Sequence, residues 1–193
     1  MDILCDTSSI MMLIRIAPNM FLDSKYRCTT LNLMRNEIFR NPKFKKKYPW
    51  RNDFKTKIQG LPSAVTDNTE VNPYLEAINL LTRNITINAK TGRPFDLSYV
   101  DQRFLACALA NGYKISTGDE NLTLFALQEF GDEFHGNISP LGIINRWMSK
   151  ELIEWSNQLR SYVADWKINN EHPQPERQMR KFKKLTGRSY PGS

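Results

Sequence analysis

Short apolar runs, each too brief for a helix, alternate along this chain with longer segments that carry helix caps. That alternation constrains the architecture more tightly than any other feature. Ile3-Leu4-Cys5 is a continuous apolar run of the kind a strand buried on both faces requires. Thr7 or Ser8 then offers a cap for "SSIMMLIRIA", which Pro18 ends. "YRCTT" has a β-branched and aromatic bias, and Thr29 or Thr30 caps "LNLMRNEIFR", stopped at Asn41-Pro42. Past a polar loop, "QGLPSAVTDNTEVNP", the Asn72-Pro73 pair opens "PYLEAINLLTRN". Ser98 caps a helix with Val100, Phe104, Leu105 and Ala108 on one face, and Gly112 stops it. "YKIST" reads as a strand, after which Gly118-Asp119-Glu120-Asn121 turns into "LTLFALQEF". "GNISP" is a last short strand candidate, and Pro140 opens a further helix. Strands alternating with helices predict an α/β fold with a mostly parallel sheet and helices on both faces.

A chain of 193 residues suits one domain with appended structure. Its net charge of +7 favours an anionic partner, of which nucleic acid is the commonest. Cys5, Cys28 and Cys107 are odd in number and lack Cys-x-x-Cys spacing, which predicts reduced, buried thiols and a cytoplasmic setting. Asp2, Asp6 and Arg15 break the N-terminal apolar stretch, against a signal peptide. No run approaches the ~20 apolar residues of a membrane span.

The first strand runs straight into a carboxylate, Asp6, and Asp119 follows the "YKIST" strand two residues on. In a parallel sheet the carboxyl ends of the strands share one edge, where such folds place ligands. Asp101 belongs there by length: its helix spans ~21 Å and the strand after it ~17 Å, so the chain returns to its starting level beside Asp119. Glu37, two turns into the second helix, reaches that edge only if the helix tilts suitably. Each acid also has a plain reading. Asp101 sits three residues after Ser98, as in a capping box, and Asp119 suits the positive end of a helix. Glu37 is an ordinary solvated helix residue, and an apolar strand ending in Asp6 is the hardest to explain that way. Acids converging on one edge repel one another, and a cation among them relieves this. Oxygen-only donors select a hard ion, Mg²⁺ or Mn²⁺. His135 and His172 lack ligand-like spacing, which argues against zinc. Without a phosphate loop or a nucleophile elbow, what remains is metal-assisted displacement at phosphorus.

In "DTSSI" after the first strand, "NEIF" on the second helix, "SYVDQRFLACALANG" and "ISTGDENL", the chain resembles the PIN-domain nucleases over roughly residues 1–148. The resemblance implies a three-layer α/β/α sandwich and Mg²⁺- or Mn²⁺-dependent RNA cleavage. It also implies, as one role found in that family, the toxin of a toxin–antitoxin pair of the VapC kind, with an antitoxin protein as partner. By position, Asp6, Glu37, Asp101 and Asp119 would be the acidic metal-binding and catalytic set. Thr7 or Ser8 would orient the first acid or a metal-bound water, and Asn121 would be an accessory polar group. The long segment between Glu37 and Asp101 and the C-terminal extension depart from a compact toxin.

Residues 43–57 interleave Lys43, Lys45, Lys46, Lys47, Arg51, Lys55 and Lys57 with Phe44, Tyr48, Trp50 and Phe54. Two readings stand side by side: cations and rings that grip single-stranded RNA, or aromatics that anchor a solvated basic helix to the core. Residues 149–170 read as an amphipathic helix striped by Leu152, Trp155, Leu159, Tyr162 and Trp166, buried on its own domain or in a homodimer or antitoxin surface. Residues 171–193 read as a proline-broken linker and a basic tail, with Lys181, Lys183 and Lys184 for nucleic acid or an acidic protein. Three rivals to the ribonuclease are weighed. A haloacid-dehalogenase-type phosphatase needs an acid where Ser8 stands. A flap-type DNA nuclease usually carries more carboxylates and a helical arch. A non-catalytic RNA-binding or scaffold module would have no use for the acids.

Overall fold

The computed structural model describes residues 1–59 and 70–191. Strand β1 (Ile3–Cys5) is the centre of a parallel sheet, flanked by β2 (Cys28–Thr29) and β3 (Lys114–Ser116) in the order β2-β1-β3. Ile3 stands opposite Cys28 and Lys114, and Cys5 opposite Ser116. All three residues of β1 are fully buried, as a central strand requires. Around this small sheet the described residues are mostly helical. The helices are α1 (Thr7–Leu13), α2 (Asn32–Arg40), α3 (Pro42–Lys47), α4 (Lys55–Gln59), α5 (Val71–Arg83), α6 (Tyr99–Ala110), α7 (Glu120–Phe130), α8 (Pro140–Met148), α9 (Asn157–Ile168) and α10 (Glu176–Thr186).

The α/β class and the parallel sheet agree with the sequence pattern, but the sheet is smaller than expected. "GNISP" contributes one bridge, Ile115 to Asn137, in which Ile115 N–H donates to Gly136 O at 3.0 Å and Ile115 O accepts the Ile138 N–H at 2.9 Å. It cannot lengthen, because Ser139 already caps α8 through the Gly142 N–H. The polar loop expected after the basic segment lies largely at 60–69, outside the described residues.

Two C-terminal expectations need correction. The amphipathic helix begins at Asn157, not near residue 149, because Glu151 takes a left-handed conformation (φ 57°) that closes α8. Leu152 N–H then bonds back to Trp147 O at 2.9 Å, and Ser156 caps the new helix. Leu159, Val163 and Trp166 form its buried stripe. The basic tail is a helix, α10, packed on α8. Its Phe182 is fully buried between Trp155 and Tyr190, with ring centroids 5.1 and 6.0 Å away. One core therefore runs from Ile3 through Phe182 to Tyr190. The three cysteines are free thiols. Among the described residues no helix is long and apolar enough to cross a membrane.

Candidate active site

A cavity of about 750 Å³ opens where β1 and β3 end, and Asp6, Glu37, Asp101 and Asp119 all line it. Asp6 leaves β1 with its N–H still donating to Ser116 O at 3.0 Å, so the ladder fixes its backbone. Its carboxylate, rather than Thr7 or Ser8, caps α1: Oδ1 accepts the Ser9 N–H at 2.7 Å, and Ser8 Oγ lies 3.0 Å from both oxygens. Burial pushes the Asp6 carboxyl above its ordinary range, while the hydrogen bonds it accepts pull the other way. Asp119 leaves the end of β3 and caps α7, accepting the Leu122 N–H at 3.0 Å. Asp101 forms a capping box: Oδ2 accepts from Ser98 N–H at 3.1 Å and Ser98 Oγ at 2.6 Å. Glu37 comes from α2, whose tilt brings it in, and its Oε2 accepts from Thr7 Oγ1 at 2.6 Å.

Three helix N-termini thus meet at this cavity, each carrying an acid. Their partial positive ends hold the carboxylates against mutual repulsion, so the crowding of acids does not by itself demand a cation. Capping leaves oxygens to spare. Asp101 Oδ1 and Asp119 Oδ2 accept no hydrogen bond among the described residues. Among those residues no three His, Cys, Asp or Glu side chains form a ready metal cage. Mg²⁺ does not need one, since it commonly takes one or two carboxylates and keeps several waters. The two unengaged carboxylate oxygens are donors of the type that suits Mg²⁺ or Mn²⁺.

The supporting residues sort differently from expectation. Ser8 contacts the first acid, but Thr7, itself buried, positions Glu37 instead. Asn121 does not line the cavity; its amide donates to Asp96 O at 2.9 Å and ties that loop to α7. Lys43, Lys45 and Lys46 are exposed on α3, the same helix that puts Phe44 in the cavity wall, so the helix beside the cavity carries a cationic face. Arg51 does not belong to it. Its buried guanidinium donates to Ile38 O at 3.1 Å, holding the 49–54 turn to α2. Trp50 packs edge-on to Tyr48 and Phe54 with the Arg15 guanidinium over its ring, which makes it an anchor. Lys47 pairs with Glu171 at 2.9 Å. Lys181, Lys183 and Lys184 are exposed on α10.

One cavity residue escapes any reading of local sequence. His172, on the segment between α9 and α10, lies flat against Gly118: a Cβ there would stand 1.9 Å from the imidazole Cδ2. Its segment is fastened at both ends. Glu171 accepts from Tyr48 Oη and Lys47, and Gln174 Oε1 accepts the Leu141 N–H at 3.0 Å. A "GD" turn hints at a close approach, yet nothing local says what approaches.

No family model matches the chain, and it matches neither a curated protein nor a solved structure.

Proposed function

We propose that this chain is a PIN-type, divalent-metal-dependent endoribonuclease that cuts single-stranded RNA. The observation that carries the reading is the meeting of Asp6, Glu37, Asp101 and Asp119 on one cavity at the carboxyl edge of β1 and β3. A bound Mg²⁺ or Mn²⁺ supplies charge against the phosphate and lowers the pKa of its water. Asp101 and Asp119 offer the unengaged oxygens to hold it, Ser8 orients Asp6, and Thr7 fixes the Glu37 carboxylate. Lys43, Lys45 and Lys46, exposed on the helix beside the cavity, supply counter-charge for the RNA backbone.

A second reading has its own support. Asp6, Asp101 and Asp119 all cap helices, a task the fold needs with or without chemistry, so an RNA-binding module would also keep them. Cleavage of a single-stranded RNA with Mn²⁺, beside Asp6→Asn, Asp119→Asn and EDTA controls, separates the two. Asn caps a helix about as well as Asp, so both variants stay folded. Cleavage abolished in all controls supports the nuclease; RNA binding without cleavage in the wild type supports the module.

A further inference from the structure

A second cavity, of about 410 Å³, adjoins the first and shares Ser8, Thr117, Gly118, Glu120 and His172 with it. Both lie in the size range of small-molecule sites. Their chemistry differs sharply. The first is walled by five acids; the second has one acid among its described lining residues, Glu120, common to both, whose charge is met by Lys90 at 2.6 Å. No Lys or Arg is among the described residues lining the second cavity to hold a phosphate, and its largely uncharged wall suits an uncharged ring. Met12, Pro140, Pro173 and Pro175 supply apolar wall. His172 supplies a flat one, with one side on Gly118, and its imidazole has no hydrogen-bond partner among the described residues. Three hydroxyls on this wall have committed their protons: Ser8 donates to Asp6, Ser9 to Ser116 O at 2.9 Å, and Thr123 to Asp119 O at 2.9 Å. What these hydroxyls still offer is acceptor lone pairs.

We infer that the second cavity binds a nucleobase bearing an exocyclic amino group, stacked on His172. That the base belongs to the nucleotide beside the scissile phosphate rests on the nuclease reading; the base site itself does not. The segment from Glu171 to Pro175 acts as its wall, held so that the imidazole keeps its place over Gly118. Side chains of the His type are among those on which unpaired bases stack.

The test uses the whole ¹⁵N-labelled chain without metal and the four ribonucleosides as probes, followed by amide chemical shifts. These probes carry no charge, so the acids next door neither attract nor repel them. Adenosine, cytidine or guanosine should shift the amides of Gly118, Thr123, Asn137 and Gln174 saturably, and uridine more weakly. His172→Ala should weaken binding about tenfold, the order that loss of a stacking ring carries, and His172→Phe should restore it. His172 is exposed, so neither variant threatens the fold. Absence of saturable shifts at those amides, uridine binding as tightly as the best of the others, or equal affinity in wild type and His172→Ala overturns the inference. Nucleoside binding without Mn²⁺-dependent RNA cleavage would refute the nuclease reading alone and leave the base site standing. Cleavage without nucleoside binding would do the reverse.

Discussion

Glu171 is the fastening most open to quantitative test. Its carboxylate is 3 % exposed and accepts from Lys47 Nζ at 2.9 Å and from the hydroxyl of Tyr48, itself 2 % exposed. Burial, then this bond, holds the Tyr48 hydroxyl protonated far above the usual phenol range. Glu171→Ala strands that donor in a dry place, which costs about 1–3 kcal/mol. Lys47 is a third exposed, so losing its partner adds only about 0–1 kcal/mol. A total of roughly 1–4 kcal/mol corresponds to a fall in Tm of about 2–16 °C for a chain of this size. Adding Tyr48→Phe removes the stranded donor, so the double variant should melt above Glu171→Ala alone. Thermal unfolding by circular dichroism gives the Tm values, and amide hydrogen exchange at His172 and Gln174 reports whether the segment opens before the rest. A Tm for Glu171→Ala within about 1 °C of wild type, with unchanged exchange there, would refute the fastening. So would a double variant less stable than both singles combined.

Other expectations follow from the acids and the C-terminal helix. In EDTA, Asp119→Asn should melt at or above wild type, because the cap survives and repulsion falls; Mn²⁺ should then raise the wild-type Tm more than the variant's. Equal metal-induced shifts would disprove a shared ion. The folded-state pKa of Asp6 is raised from an ordinary 3.8, so its ionised form costs stability above that folded pKa, and the cost fades as pH falls through it. In EDTA, Asp6→Asn should thus match or exceed wild-type stability at about pH 7, with the gap closing by ~pH 3; a gap that widens on acidification would contradict the burial argument. Phe182→Ala should cost about 3–5 kcal/mol and loosen α10 to proteolysis, an outcome read by melting and limited trypsin digestion, with an unchanged digest counting against the packing.

The elements that could be read from sequence are those whose signals are local. Ser98 and Asp101 spell out the start of α6, Gly112 its stop, and Pro140 the start of α8, and the structure places each helix accordingly. Strand-end acids were legible for the same reason, because chain direction in a parallel sheet puts Asp6 and Asp119 on one edge. The failures are tertiary or competitive. The 3-4 spacing of Leu152, Trp155 and Leu159 reads as one helix, but Ser156 offers a cap inside it and the chain takes that cap. α10 hides behind its charge: Met179 and Phe182 are its apolar signal, and one buried ring at Phe182 suffices to dock it. Arg51 looks like a phosphate ligand in composition, yet it is buried and donates to the backbone carbonyls of Ile38 and Tyr48. His172 reaches the cavity only through contacts more than thirty residues away in sequence, Gly118 above all, and no periodicity encodes those.

The use of acids as helix caps bears on how this chain can change over time. Asp and Asn codons differ by one base, and the two side chains cap alike. At Asp6 and Asp119 a single inherited step can therefore remove a negative charge from the cavity while every helix keeps its beginning. The basic face on α3 and the cavity beside His172 would pass through such a step intact. Selection on the fold cannot see the loss. On the proposed nuclease reading, copies of this chain that hold RNA and copies that cut it would share one architecture, and the codons at Asp6 and Asp119 would be the place to tell them apart.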